Sequence, residues 1–555
     1  MAGRAELGKN WVSLRWANSL PVLTLLLTLT LVPRVIAIAR SVAPARDARR
    51  YWTAADLFSH QPFTQVLRSI DAHPLYPYSL HLLKRCLRAI GVEVGPQGWF
   101  VACQWWSTLT YLVFIACFFE IGTRFWSRPI AFGGCLAVAW LPRQVEYSID
   151  VLSDSLHAAC FSLGFLAVVL AMDQSFAADA KHGRKSIVLF ALGGALAGLA
   201  YWTRPEGLLL VAIVLSVFVT RQFRSDWRIP WGNWGSCLIA FLLPVALLIG
   251  GYVTMLGQLS PKNSAKALVG GVTQAEPGPW IGNALLGREL SPRSSAELEW
   301  VRLVSRTWPQ VALRALVEVG KEARGWLLVL FLFALVDRRR TRVYMPRRWF
   351  VIYSLLGALA MLLLLGRMVG FVAGRYVMSV LPLFGMVAIS GGEAFVARIR
   401  DLPRFLWEKR WSVETLELRR KLVTSGILAA VALSLCVPRW FQRLHPHRTC
   451  HREAANWLRR HAGGGEAVFD PSWTTSFFAG LPRCSGDSDS FRYAVIDSDA
   501  LARVDAQARG VLERIDRSGR VVARFERTKG ENKGKVLIVE VPRLARANEG
   551  GEERQ

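Results

Sequence analysis

The sequence predicts a mainly α protein: a polytopic transmembrane helical bundle of about 11 spans with a small C-terminal α/β domain outside the membrane. Three observations predict it. Of 555 residues, 52% are hydrophobic and only 20% charged, and the apolar ones come in uninterrupted blocks. Basic residues collect in the connections on one side of those blocks. After Pro438 the blocks stop and short alternating runs begin. A helix that crosses a bilayer needs about 20 apolar residues, so blocks of this kind exclude a purely soluble enzyme and a disordered chain. The 22 Trp suit a chain with two membrane interfaces to anchor.

In order, the blocks are Val22–Leu31, Phe100–Phe119, a shorter one over Pro129–Pro142, Val151–Met172, Ile187–Ala200, Leu208–Val219, Cys237–Met255, Trp326–Val336, Trp349–Leu365, Val377–Ile389 and Leu422–Val437. Several are short enough to need flanking or interfacial residues to complete a crossing. The first runs past Pro33 towards Ala39 without a small-residue cleavage site, so an uncleaved helix is expected.

With 68 Lys+Arg against 41 Asp+Glu, the formal charge of +27 raises the question of a nucleic-acid partner. Its distribution answers it. Arg124, Arg128, Lys181, Arg184, Lys185, Arg221, Arg224, Arg228, the run Arg338 to Arg340, Arg347, Arg348 and the group from Arg398 to Lys421 all fall on one side, joined by Arg4, Lys9 and Arg15. The positive-inside rule makes that side cytoplasmic, and no nucleic-acid partner is expected. The chain then reads as a multi-pass protein of an inner or plasma membrane, with its N-terminus in the cytoplasm. Residues 40–98, 141–149, 201–206, 257–324 and 366–376, with everything after Pro438, lie outside.

The tail changes character. Ala467–Phe469, Tyr493–Ile496, Val521–Phe525 and Val536–Val541 read as strands, alternating with helices at Arg452–Arg460 and Asp499–Ile515. The chain therefore divides into a bundle over 1–438 and a small extracytoplasmic α/β domain over 439–555, with residues past Ala545 frayed. Cys450 and Cys484 share that domain, where an oxidising compartment would let them pair. No metal-ligand spacing ties them to His.

Polar residues that look chosen for chemistry gather on the outer side. In the first loop, Asp47 and Tyr51 are four apart, on one face of a short helix. Asp71-Ala72-His73-Pro74-Leu75-Tyr76-Pro77 holds two prolines three apart, which reads as a turn presenting His73 and Tyr76. The segment Tyr78–Ile90 after it is amphipathic and suits the interface. Glu146, Asp150 and Asp154 follow at i, i+4, i+8, a carboxylate stripe whose repulsion needs a ligand, cation or proton to offset it. Arg204-Pro205-Glu206 reads either as an ordinary helix start or as part of a site. Lys262 and the pair Arg375-Tyr376 lie just outside the membrane, where cations hold phosphate or serve as snorkelling anchors.

Four motifs in this order are familiar. An opening made of Asp47-Ala48 with Tyr51 and then HPLYP at 73–77, followed by Leu152-Ser153-Asp154-Ser155-Leu156, GLAYWTRPEGLLL at 198–210 and GRYVMSVLPLF at 374–384, resembles the GT-C membrane glycosyltransferases. In pattern they are similar to protein O-mannosyltransferases, aminoarabinose transferases and lipopolysaccharide-core sugar transferases. The resemblance covers roughly residues 15–438. It implies an inverting transfer of a sugar from a polyprenyl-phosphate-linked donor to an extracytoplasmic glycan, lipid or protein acceptor. It further implies Asp47 as general base, Asp154 as the second acidic position with Asp150 and Glu146 beside it, His73 and Tyr76 shaping the donor site, and Arg375 and Tyr376 near the lipid phosphate. Asp47 departs from relatives with paired acids, being followed by Ala48 and two arginines, and a lone carboxylate is a poor divalent site. A divalent cation stays open, and no metal ligand is assigned.

The residue types fit that chemistry. An acceptor hydroxyl needs a carboxylate to take its proton, carboxylates stabilise an oxocarbenium-like transition state, and Arg or Lys meets the charge growing on the leaving phosphate. Arg204, Lys262 and Arg375 are the phosphate candidates, with Tyr51, Asp71 and Glu206 as further substrate contacts. The alternative is a secondary transporter, which would place its ionisable groups near the bilayer midplane; a third reading is an inactive scaffold whose outer domain binds a partner.

Overall fold

The structure, a computed structural model, describes residues 7–45, 47–174, 180–223, 231–260, 308–336, 348–369, 374–401, 434, 436–442, 448–463, 465–471, 473–484, 491–497, 511–512, 515, 517–527 and 534–542. Among them, 8 helices are long and apolar enough to cross a membrane, and Arg128–Ala139 and Trp326–Leu335 are shorter apolar helices. The expected span Leu422–Val437 lies outside the described residues except for its last turn.

The bundle begins with α1 (Leu7–Arg40), which carries Pro21 and Pro33 inside it. Three short helices follow on one end, α2 (Ala48–Leu57), α3 (Phe63–Ser69) and α4 (Leu75–Ala89). Then come α5 (Pro96–Phe125), α6 (Arg128–Ala139), the short α7 (Pro142–Ile149), α8 (Asp154–Gln174), α9 (Ala180–Thr203), α10 (Leu208–Gln222) and α11 (Trp231–Leu256). After the long connection lie α12 (Trp308–Glu322), α13 (Trp326–Val336), α14 (Arg348–Val369) and α15 (Leu381–Asp401). Prolines at the first turns of α5, α6 and α7 start those helices where a missing N–H costs nothing.

Helices that bury most of their circumference form the centre. On α5, Tyr111, Phe114 and Phe118 stand in a buried column that meets Phe161 and Phe165 of α8 and Phe350 of α14. Phe118 and Phe165 meet edge to face at 6.1 Å, and Phe165 lies 5.4 Å from Phe350. Arg34 of α1 is buried in this interior. Its guanidinium lies 4.0 Å over the Tyr111 ring and donates to the carbonyls of Thr30 (2.6 Å) and Ala139 (3.2 Å). Ala139 ends α6, so a cation meets orphan carbonyls at a helix C-terminus, where the helix dipole favours it.

Two local expectations are corrected. The segment around His73 is not a free turn carrying Tyr76. Pro74 is the N-cap of α4, while Tyr76 and Pro77 lie inside its first turn. Proline is tolerated there because first-turn N–H groups have no intrahelical partner. Nor do Glu146, Asp150 and Asp154 share one helix. Asp150 is extended (φ −62°, ψ 143°) and ends α7, and α8 starts only at Asp154. Asp and Ser bond locally to backbone and favour helix ends over interiors, so Asp150 to Ser155 breaks the helix and the carboxylates leave one face.

The tail supplies α16 (Thr449–His461), β1 (Ala467–Phe469), α17 (Thr474–Ala479), β2 (Phe491–Asp497), β3 (Arg520–Arg527) and β4 (Gly534–Glu540). The sheet order is β1-β2-β4-β3, with β1 parallel to β2 and the other pairs antiparallel. Period-2 alternation gives the sheet two apolar faces. Val495, Val536 and Ile538 pack with α16 and with Ala48, Trp52, Tyr76 and Phe100 of α2, α4 and α5. Ile496, Leu537 and Val539 face a second cluster that contains Cys484. Cys450 sits in the first cluster, and the two buried cysteines, whose pairing the sequence left open, are not joined in a disulfide. The expected helix Asp499–Ile515 falls almost wholly outside the described residues.

Candidate active site

Four chain segments, distant in sequence, bring their polar ends to the side of the bundle that carries the sheet. Asp47 is the N-cap of α2 but makes no side-chain cap hydrogen bond. Asp154 is the first residue of α8 and is buried. Arg204 and Glu206 form the corner between α9 and α10, where a 3-10 turn over Pro205–Gly207 reverses the chain. That reversal is so tight that a Cβ on Gly207 would lie 2.3 Å from the Tyr201 nitrogen, so only glycine fits. Arg375 and Tyr376 open a second 3-10 turn, Gly374–Val380, ahead of α15.

Arg204 is the buried hub. One end of its guanidinium pairs with Asp154 Oδ1, and the other lies 2.9 Å from Glu206 Oε1. Its guanidinium carbon lies over the Tyr376 ring, 5.3 Å from the ring centre, a cation–π contact. Burial alone would lower its pKa, but Asp154 and Glu206 raise it well above the usual range, so it is a permanent cation. Asp154 Oδ2 is buried and has no hydrogen-bond partner among the described residues.

Asp47 and Arg375 form the exposed half. They lie 3.6 Å apart, with side chains 39% and 27% exposed. Burial opposes the Arg375 charge, while Asp154, Tyr376 and Asp47 favour it and Arg204 disfavours it, so its pKa lies above the usual value. Tyr51 joins the halves: its hydroxyl is 3.0 Å from Ser153 Oγ, and its ring meets Tyr76 edge to face at 5.0 Å. Burial pushes the Tyr51 phenol up; Arg204 and the Ser153 bond oppose this, while Asp154 and Asp47 add to it. Tyr76 hydrogen-bonds Ser107 at 3.0 Å and lines the same wall.

Other expected residues fall elsewhere. Asp71 lies in an exposed pair with Arg50 at 3.5 Å, away from the hub. His73 stacks on Tyr252 and bonds Ser260 at 3.2 Å beside the end of α11. Asp150 is buried at the end of α7, and Glu146 is half-buried on that helix. Lys262 lies outside the described residues. Arg204, a phosphate candidate by sequence, has both ends of its fork on carboxylates, whereas Arg375 is partly exposed beside Asp47.

A second cluster escaped the sequence reading. Glu322, at the end of α12, is buried and accepts from Arg143 (2.7 Å) and Tyr147 (3.2 Å) of α7. It packs on the turn that carries Arg375: a Cβ at Gly374 would lie 2.1 Å from the Glu322 carboxyl. The available signal was a carboxylate in register with the buried positions Val311 and Ala315 of an amphipathic helix.

The donor set does not fit a divalent cation. Asp154 and Glu206 hold Arg204, Asp47 faces Arg375, and no three His, Cys, Asp or Glu side chains converge among the described residues.

Comparison with known structures identifies the fold. The chain is similar to ArnT from Cupriavidus metallidurans in the apo state, with a TM-score of 0.56 at 13% identity over 94% of this chain and 98% of that one. The same ArnT bound to undecaprenyl phosphate gives 0.53 at 12% identity, over 93% and 97%. The chain has the GT-C fold. Archaeoglobus fulgidus oligosaccharyltransferase AglB, in complex with an inhibitory peptide and a dolichol-phosphate, shares this GT-C fold at 0.53 and 12% identity, over 88% of this chain and 70% of that one. No protein-family model and no curated protein sequence matches this GT-C chain.

Proposed function

We propose that the chain is an inverting glycosyltransferase that moves a sugar from a polyprenyl-phosphate-linked donor to an extracytoplasmic acceptor. One observation carries this reading: an uncapped, half-exposed Asp47 carboxylate faces the Arg375 guanidinium, with a buried Asp154–Arg204–Glu206 set behind them. The fold shared with ArnT and AglB supports it, since those proteins were captured with undecaprenyl phosphate and dolichol-phosphate.

In this reading Asp47 takes the proton of the acceptor hydroxyl as that oxygen bonds to the anomeric carbon. The bond from that carbon to the donor phosphate oxygen breaks on the opposite face, which inverts the centre. Polyprenyl phosphate leaves with the electron pair, and Arg375 meets its growing charge. Asp154, locked by Arg204, supplies fixed negative charge to the oxocarbenium-like transition state. Tyr51, Tyr76 and Tyr376 wall the sugar site, and residues 1–438 form the transferase bundle with 439–555 as an outer domain. The basic connections support, by the positive-inside rule, a reading with the N-terminus in the cytoplasm and the site on the outer face of an inner or plasma membrane.

The test uses proteoliposomes loaded with a polyprenyl-phosphate sugar and candidate acceptors. Protein-dependent release of free polyprenyl phosphate is expected, and Asp47→Asn should slow it by about 10²–10⁴-fold. Movement of intact sugar lipid without cleavage would show a transporter instead.

A further inference from the structure

Asp47 is held by its chain neighbours, and those neighbours are held by the sheet domain. Three residues before it, the Pro44 carbonyl accepts from Arg448 Nη1 at 2.6 Å. Two residues after it, Arg49 Nη1 donates to the Pro471 carbonyl at 3.2 Å. One turn further on, the Trp52 indole stacks on Phe477 (4.6 Å, 23°) and lies 5.1 Å from Trp473. The other side of Trp52 is fixed by Phe100 and by a 3.3 Å bond from its Nε1 to Cys103 Sγ.

The segment that makes these contacts is shaped for them. Trp473 has φ +64°, a left-handed conformation that bulky residues rarely adopt. It is kept there by the turn closed between Asp470 Oδ2 and the Ser476 N–H at 2.8 Å. His451 of α16 bonds Thr475 at 2.8 Å and pairs with Asp497 of β2 at 3.3 Å, which ties α17 to the sheet. Below the rings, the sheet face and α2 share one buried apolar cluster. A left-handed backbone at Trp473, a closed turn and a common core all converge on one ten-residue helix of the bundle.

We propose that Trp473 and the α17 helix that follows it form a positioning element of the transferase, clamping α2 so that the Asp47 carboxylate stays set against Arg375. The inference rests on the reading of Asp47 as the base and adds the task of the tail: it is a brace on the catalytic loop, and its rings are positioning residues. Such a brace acts on turnover because a base misplaced by about 1 Å can lose about 10²-fold in rate while substrate binding survives.

The full-length protein in proteoliposomes tests this with Trp473→Ala, Phe477→Leu and Trp473→Phe, run beside Asp47→Asn. The expected result is a kcat lowered by about 10²-fold in Trp473→Ala and less in Phe477→Leu. KM values for donor and acceptor should hold within about twofold, and Trp473→Phe should restore most of the loss. A raised acceptor KM at unchanged kcat would overturn the proposal, because the rings would then be an acceptor site. Wild-type kinetics in Trp473→Ala with Asp47→Asn inactive would also overturn it while leaving the base in place. Full turnover by Asp47→Asn would instead sink the base assignment. If Trp473→Ala does not fold, Phe477→Leu and Trp473→Phe decide, and turnover that follows their thermal stability without a kcat-specific loss counts against positioning.

Discussion

Arg204 shows how differently two arginines of one site behave. Buried between Asp154 and Glu206, it neutralises charges that water cannot reach. Removing one partner of a buried pair strands the other, at a cost of about 3–5 kcal/mol. Arg204→Leu is therefore expected to lower thermal stability by that amount in detergent; a variant as stable as wild type would mean the pair is not buried. Arg375 is partly exposed and faces Asp47 at 3.6 Å, so its task falls on the substrate. Arg375→Gln should leave the unfolding temperature nearly unchanged and reduce turnover by about 10²–10³-fold, as loss of one charge-stabilising donor does; unchanged kcat in a transfer assay would contradict that role. Sequence made Asp47, Asp154, Arg375 and Tyr376 legible as candidates because each lies in a motif at or just before a helix start. It left Arg204 ambiguous, since a helix-start residue and a buried hub are written with the same letters, and only the partner 50 residues earlier distinguishes them.

At the scale of elements, ends matter more than spans. The break between α7 and α8 turns an expected carboxylate stripe into a separated Asp150 and Asp154, and the spacing alone could not show it. The 3-10 turn with Arg375 is seated by α12 through Glu322. Gly374→Ala would press a methyl group into that carboxyl. Overpacking of this kind costs about 1–3 kcal/mol, and the displaced Arg375 should lose about 10²-fold in turnover; wild-type kinetics would separate the turn from Glu322. Burial holds the Glu322 carboxyl above its usual range, with Arg143 and Tyr147 pulling it partly back. The folded chain thus keeps this proton at pH values where the unfolded chain has lost it. Stability from the site is complete below the usual carboxylate range and falls as pH rises through it to the raised value. Glu322→Gln cannot titrate, so across that window the unfolding temperature of wild type relative to the variant should fall with rising pH. A difference that ignores pH would contradict the assignment.

In the whole molecule, the apolar blocks and the tail's alternating runs located most spans and the four strands among the described residues, because each is a local pattern set by one solvent boundary. What the tail rests on was not written locally. Its sheet shares a core with α2, α4 and α5, and contacts between residues about four hundred apart leave no periodicity to read. The same holds for the site, whose segments meet only once the bundle closes. The most direct measurement of the central claim is an experimental structure of the protein with a polyprenyl-phosphate sugar or its nonreactive analogue bound. The account predicts phosphate oxygens within hydrogen-bond distance of the Arg375 guanidinium and the anomeric carbon turned toward Asp47. A phosphate seated at the opposite end of the bundle, or a sugar remote from Asp47, would contradict it.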